Sequence, residues 1–109
     1  ARHAPAHLVV LGGGPTLKVN VNQRYATDAV GAGIAHEVAA RAGVALQTYV
    51  HRADMACGST IGPLSAARLG IRPVDLGLPM LGMHSARETM ATSDVAAGRA
   101  FFRAWFDVA

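Results

Sequence analysis

One histidine has the sequence setting in which functional residues are often found. His84 lies in the run Gly-Met-His-Ser-Ala-Arg-Glu at residues 82–88, after a predicted strand, and Ser-Ala-Arg-Glu matches the capping box that begins a helix. In an α/β fold, the loop from a strand to a helix at the carboxyl edge of the sheet commonly carries binding residues. A neutral imidazole is a frequent zinc ligand. The residues alone leave two interpretations open: His84 binds a metal, or it packs or caps at this position.

The other residues with chemical potential do not assemble into a site. His36 and Glu37 begin like the zinc-binding H-E-x-x-H helix, but the second histidine position is Ala40, so His36 is predicted to be a surface or packed residue. The five histidines show no mutual ligand spacing, and the seven acidic residues offer no evident acid–base pair. Cys57 has no obvious histidine partner in sequence, so a catalytic cysteine is the less favoured interpretation.

The glycine run at residues 12–14 is predicted to form a turn rather than a phosphate loop. No Gly-Lys-Ser/Thr follows it, and the next element is a strand, because apolar and polar residues alternate over residues 16–21. Lys18 lies on the polar face of that strand, so its side chain is expected to point away from the core.

Strands and helices alternate along the rest of the chain. A helix is predicted over residues 28–42, with Val30, Ile34 and Val38 at helical spacing and Gly43 as its stop. The other predicted elements are strands at 45–50 and 71–76 and helices at 61–69, from 85 and from 93, the last with apolar Val95, Phe102, Trp105 and Phe106. This order predicts an α/β fold with a helix-covered sheet.

Composition narrows the class of protein. The chain is 51% hydrophobic and 16% charged, which is typical of a globular domain, and no apolar stretch approaches the roughly 20 residues of a membrane span. A single cysteine favours a reducing compartment, and the cytoplasm is the expected one. The net charge of +3 is spread along the chain without a basic cluster, so neither nucleic acid nor membrane is expected as a partner.

Several linked motifs resemble the aspartyl aminopeptidases, a family of dinuclear zinc exopeptidases. The chain begins with Ala1 in a polar stretch, which suggests the middle of a longer protein, and it is similar to the C-terminal segment of that family's catalytic domain. Residues 1–13 would be an irregular lead-in with a short strand, and residues 14–109 the family-like region. The motifs are Gly-Pro-Thr-Leu-Lys-Val-Asn at 14–20, Gln-Arg-Tyr-Ala-Thr at 23–27, Gly-Ser-Thr-Ile-Gly-Pro at 58–63, Ala-Arg-Leu-Gly-Ile-Arg at 67–72 and Met-His-Ser-Ala-Arg-Glu at 83–88.

The resemblance implies a fold, an activity and a set of site residues. The fold would be a helix-covered mixed sheet of the phosphorylase/hydrolase-like kind, and the activity the release of N-terminal residues, preferably Asp or Glu, from peptides. His84 would be a zinc ligand, Lys18 would bind the acidic side chain of the substrate, and Tyr25 would stand by the scissile carbonyl. The loop beside the substrate would contain Gly58, Ser59 and Thr60.

The resemblance also implies what this segment lacks. Of the ligands of the family's two zinc ions only His84 is present, and the remaining ligands and the catalytic base lie upstream of the matching segment. We therefore expect the 109 residues to be inactive alone, as part of an aminopeptidase that forms large homo-oligomers in this family. A non-catalytic assembly or interaction module derived from that family is the alternative, and a degradation product without a function of its own is a third possibility.

Overall fold

The computed structural model describes residues 8–19, 26–51 and 61–108. Three strands and three helices alternate along these residues, which confirms the predicted α/β class. In chain order they are β1 (Thr16–Val19), α1 (Ala29–Ala42), β2 (Gln47–Val50), α2 (Ile61–Leu69), β3 (Leu76–Gly77) and α3 (Thr92–Asp107). None of the helices in the described ranges is long and apolar enough to cross a membrane.

The three strands form one mixed sheet in the order β2-β1-β3. β1 and β2 run parallel, with Lys18 beside Tyr49 in the register, and α1 provides the crossover that a parallel pair requires. β3 runs antiparallel to β1, with Leu17 opposite Leu76 and Thr16 opposite Gly77. The carboxyl end of β3 therefore lies at the edge of the sheet where β1 and β2 begin.

The ends of α1 agree with the sequence signals. The Asp28 carboxylate caps the helix by accepting a hydrogen bond from the Gly31 N–H at 2.6 Å. At the other end Gly43 adopts the left-handed conformation with φ 67°, and its N–H donates back to the last turn. Local residues, Asp28 and Gly43, thus determine where α1 begins and ends.

The hydrophobic core lies between the sheet and the two helices α1 and α3. Its buried members are Leu17, Ala35, Val38, Ala39 and Phe101. α1 contributes mainly small side chains because it packs closely: a Cβ added to Gly31 would lie only 2.9 Å from a methyl group of Val74. Of the three large residues at helical spacing in α1, only Val38 is buried, whereas Val30 and Ile34 are exposed.

The predicted third strand is shorter than expected. Of residues 71–76 only Leu76 belongs to β3, which ends at Gly77, although the Asp75 carbonyl also accepts from the Lys18 N–H at 2.8 Å. Pro73 has no N–H to give to a ladder, and the N–H of Asp75 donates to the Thr27 hydroxyl at 2.8 Å instead. Side-chain and loop contacts therefore replace strand pairing over most of this segment.

The predicted helix at residue 85 is wrong, and α3 begins only at Thr92. The Ser85 hydroxyl accepts from the Arg87 N–H at 3.1 Å, but Glu88 accepts from the N–H of His84 rather than of Ser85. Residues 81–89 form turns closed by a bridge between Leu81 and Thr89. Their local hydrogen bonds hold a loop, and all of these residues are exposed.

α3 buries a different aromatic residue from those predicted. Phe101 is buried and stacks on Trp105, with ring centroids 5.9 Å apart, whereas Val95, Phe102 and Phe106 are exposed. Of the four predicted apolar positions only Trp105 packs against the core, partly buried, so the hydrophobic face of α3 is rotated from the one that the sequence spacing suggested.

The glycine run forms a turn, as predicted, and a buried carboxylate holds it. Asp94, in the first turn of α3, accepts from the N–H of Gly12 at 2.8 Å and of Gly14 at 2.9 Å. Gly14 has φ 93°, and a Cβ there would lie 2.2 Å from the carbonyl oxygen of Ala45, so only glycine fits. Residues 8–13 form no strand, in contrast to the short strand expected in the lead-in.

Candidate functional site

Lys18 lies on the face of the sheet opposite the core residue Leu17, as the alternation of β1 predicted. The lysine is half-buried, and its side chain runs over Gly77 of the neighbouring strand. A Cβ added to Gly77 would lie 3.3 Å from Cε and 3.6 Å from Nζ of Lys18. The absence of a side chain at Gly77 therefore gives the lysine room to extend across β3.

Two polar aromatic residues share that face of the sheet. Tyr49 stands beside Lys18 in the register, and His51 follows it two residues later. The Tyr49 hydroxyl and Nδ1 of His51 are 2.8 Å apart, and the histidine is buried. The sequence predicted no role for either residue, because a tyrosine within a strand and a histidine at its end form no distinctive local pattern.

His84 lies in the exposed loop at residues 81–89 and has φ 69°. A positive φ is uncommon for a residue with a side chain, and such conformations cluster at functional sites. The Glu88 carboxylate accepts from the His84 N–H at 2.5 Å and so helps to hold this backbone. The expected position at the carboxyl edge of the sheet is not supported, because β3 runs antiparallel to the other strands.

Within the described residues, His84 is not part of a complete set of metal ligands. The exposed imidazole is suited to act as one zinc ligand. In the parts of the chain that the structure describes, no group of three or more His, Cys, Asp or Glu side chains could hold a metal ion. His84 can therefore contribute one ligand, and the described residues do not form a metal site by themselves.

Asp75 contacts several segments around Lys18. Its carbonyl accepts from the Lys18 N–H at 2.8 Å, its N–H donates to the Thr27 hydroxyl, and its carboxylate accepts from the Ala26 N–H. A Cβ added to Gly62, in the first turn of α2, would lie 3.2 Å from both carboxylate oxygens. No local sequence pattern indicates a role for Asp75, since its partners are 13 to 57 positions away.

Four of the predicted site residues lie outside the described residues, namely Tyr25, Gly58, Ser59 and Thr60, as does Cys57. Their assignments remain predictions. The structure does place the residues that follow two of these segments: Ala26 comes directly after Tyr25, and Ile61 directly after Thr60. His36 is exposed on α1, as expected for a surface residue.

Comparisons with known proteins agree with the resemblance found in the sequence. Residues 1–106 match the family described as Aminopeptidase I zinc metalloprotease (M18). A probable M18 family aminopeptidase 2 of Mycobacterium tuberculosis (strain ATCC 25618 / H37Rv) is 54% identical over 104 residues, which are 95% of this chain and 24% of that protein. Its counterpart in Streptomyces avermitilis is 56% identical over 93 residues, or 85% of this chain and 22% of that protein.

Solved structures of the same kind share the fold. A chain of the Ape4 and Nbr1 complex superposes with a TM-score of 0.92 and 43% identity, over 96% of this chain and 20% of that one. The M18 aminopeptidase of Thermotoga maritima gives 0.80 and 26%, over 94% and 24% of the two chains. The S. cerevisiae mApe1 dodecamer gives 0.83 and 35%, over 97% and 23%.

The present chain spans between 20% and 24% of the length of these relatives. The expected phosphorylase/hydrolase-like fold is confirmed by the superpositions, and the expected family by the match along the sequence. Since that match covers nearly every residue and relatives exceed half identity, the chain belongs to the M18 family of aminopeptidase I zinc metalloproteases.

Proposed function

We propose that this chain is the C-terminal part of the catalytic domain of a zinc aminopeptidase that releases acidic N-terminal residues from peptides. The half-buried Lys18 is the observation that carries the substrate preference. Its side chain lies on the face of the sheet away from the core and extends over Gly77, which has no side chain to block it. A partly desolvated ammonium attracts a carboxylate more strongly than one in open water, because the effective dielectric constant is lower.

His84 is proposed to hold one of the zinc ions, with the remaining ligands supplied by the rest of the parent protein. Bound zinc lowers the pKa of a water molecule and polarises the peptide carbonyl. The loop at residues 81–89 is exposed, so the imidazole is accessible to ligands from elsewhere in the protein, and the Glu88 carboxylate helps to hold the backbone that bears it.

Tyr25 and the segment 58–60 complete the proposed site on the strength of the family motifs. The Tyr25 hydroxyl would donate a hydrogen bond to the oxygen that becomes negative during attack on the carbonyl. Gly58, Ser59 and Thr60 would let the substrate backbone approach closely, because their side chains are small. Without the upstream ligands and base, we expect the 109 residues to be inactive alone.

The substrate preference is tested in the full-length protein by Lys18→Ala. We expect the ratio of kcat/KM for Asp-led over Leu-led substrates to fall about 10- to 100-fold, because a charge-assisted contact is lost. Zinc content should stay unchanged, and Arg41→Ala, which removes an exposed cation of α1, is the control. An unchanged ratio would remove Lys18 from the substrate pocket.

The requirement for the rest of the protein is tested with the same substrates, with and without Zn²⁺. We expect hydrolysis by the full-length protein with zinc and none by the 109-residue chain. Turnover by the short chain would contradict the proposed division of the site.

The cytoplasm is the proposed location, supported by the single cysteine of the chain.

An assembly role is the second candidate, and an apolar groove favours it. A cavity of about 340 Å³ lies between the segment before β3 and α3, and the exposed Ile71, Phe102 and Phe106 line it. Apolar surface of this kind commonly marks a contact with another chain or domain. A homo-oligomer is proposed on this basis, and light scattering of the full-length protein measures its mass. If the double variant Phe102→Ser/Phe106→Ser keeps the oligomer mass of the wild type, the groove is not a subunit contact.

A further inference from the structure

Asp75 joins three parts of the chain that are far apart in sequence. Its backbone pairs with Lys18 on β1 and with the Thr27 hydroxyl, and its carboxylate accepts from the Ala26 N–H. The bonds to residues 26 and 27 run in both directions, since Asp75 donates to one residue and accepts from the other. The segment before α1 is therefore tied to the start of β3 at two points.

The same carboxylate also faces the first turn of α2. A Cβ added to Gly62 would lie 3.2 Å from both carboxylate oxygens and 3.6 Å from the Cβ of Ala26. Backbone N–H groups in the first turn of a helix have no partner within the helix, and they favour a negative charge nearby. The Asp75 carboxylate therefore lies beside the first turn of α2 as well as the segment at residues 26–27, and the glycine at position 62 permits the short distance.

We propose that Asp75 is a positioning residue for the aminopeptidase site, an inference that rests on the proposed function. One peptide bond joins Ala26 to Tyr25, and another joins Ile61 to Thr60, so consecutive Cα atoms are about 3.8 Å apart. By bonding to Ala26 and lying beside the first turn of α2, Asp75 would fix the described residues from which both site segments continue. Its carbonyl at the same time pairs with the strand that bears Lys18.

A positioning role predicts a particular kinetic effect. Misplacement of catalytic groups by about 1 Å lowers the rate as much as 100-fold, whereas ground-state binding of the substrate changes less. In the full-length zinc-loaded protein, Asp75→Ala should therefore lower kcat about 10- to 100-fold and raise KM by less than about threefold. Asp75→Asn retains an oxygen that can accept from Ala26, so it should restore part of kcat.

A matched control separates positioning from a general loss of stability. Asp28 is also an aspartate that accepts a backbone N–H, and it also bonds to the segment before β3, through Arg72 at 2.9 Å. Asp28→Ala should lower Tm without changing kcat measured well below Tm. Equal losses of kcat in Asp28→Ala and Asp75→Ala would overturn the proposal.

A second pair of variants tests the contact from the other side without removing a charge. Gly62→Ala adds a methyl group 3.2 Å from both Asp75 carboxylate oxygens, so the carboxylate must shift slightly, although alanine favours the helix more than glycine does. We expect kcat to fall about threefold to tenfold without a fall in Tm. Gly33→Ala in α1, where a Cβ would meet nothing within 4 Å, should leave kcat unchanged.

The wild-type protein in the same assay distinguishes a failure of the proposed function from a failure of the proposed role of Asp75. An inactive zinc-loaded wild type would overturn both the proposed function and the role of Asp75. An active wild type together with a wild-type kcat in Asp75→Ala and Gly62→Ala would overturn only the role of Asp75.

Discussion

Two loops of this molecule are each held by a carboxylate that accepts backbone N–H groups, but in opposite surroundings. Asp94 is buried and bonds to Gly12 and Gly14, about 80 positions away. Glu88 is exposed and bonds to His84, four positions away. A hydrogen bond to a buried charge contributes more than an exposed one, because water does not replace it when it breaks.

The difference distinguishes a contact that holds the fold from one that holds the loop of the predicted metal ligand His84. The Asp94 contact connects α3 to the turn before β1 and so belongs to the fold. The loop at residues 81–89 is held by bonds within itself, and it maintains His84 at φ 69°. A residue in this conformation costs roughly 1 to 3 kcal/mol unless its surroundings compensate. The loop is therefore better suited to presenting a ligand than to stabilising the domain.

The largest predicted effect is the loss of stability when the buried carboxylate of Asp94 is removed. Asp94→Ala should lower the free energy of unfolding by about 2 to 3 kcal/mol, because the buried N–H of Gly14 and the partly buried N–H of Gly12 lose their acceptor. Chemical denaturation of the full-length protein measures this change. Asp107→Ala, at the exposed end of the same helix, is the control. A loss below about 1 kcal/mol would show that the contact does not hold the fold.

His84→Gly tests the exposed loop at residues 81–89. Glycine adopts a positive φ without strain, so the free energy of unfolding should rise slightly, by less than about 1 kcal/mol. Zinc affinity of the full-length protein should fall more than about 100-fold, since even outer-shell partners contribute 10- to 100-fold. Zinc titration measures it, with the exposed His36→Ala as control. Retained zinc together with lower stability would reverse the assignment.

Glu88→Ala should have a smaller effect than either. It removes the acceptor for the His84 N–H, but the exposed group can bond to water instead. We expect a loss of stability below about 1 kcal/mol and a fall in zinc affinity of roughly 10-fold, as for an outer-shell partner. A stability loss equal to that of Asp94→Ala would remove the distinction between the two loops.

The smallest predicted effect concerns pH and a third carboxylate, Asp28. The hydrogen bond from the Gly31 N–H, and then that from Arg72, hold the pKa of Asp28 below its ordinary value of 3.8. A lowered pKa in the folded state stabilises the protein above pH 3.8, and this contribution is lost as the pH falls through the folded pKa. Tm measured from pH 6 to about pH 3 should therefore fall less steeply in Asp28→Asn. Parallel curves would exclude this contribution.

Part of the candidate site was predictable, and part was not. The alternation around Lys18 placed its side chain on the correct face, and the family motifs identified the loop of His84. The capping-box pattern after His84 predicted a helix that does not form, since Glu88 bonds to the N–H of His84 instead of that of Ser85. A four-residue pattern is weak because a turn can satisfy the same groups as a helix.

By itself, the sequence determined the features that depend on neighbouring residues. These are the cap of α1 at Asp28, its stop at Gly43, the face occupied by Lys18 and the family of the chain. Only the tertiary structure decided that Phe101 rather than Phe102 enters the core, that Asp94 binds the glycine turn, and that Asp75 connects β1, residues 26–27 and α2. Caps and periodicity act within one or two turns of chain, whereas these contacts join residues that only the packing of the sheet and helices brings together.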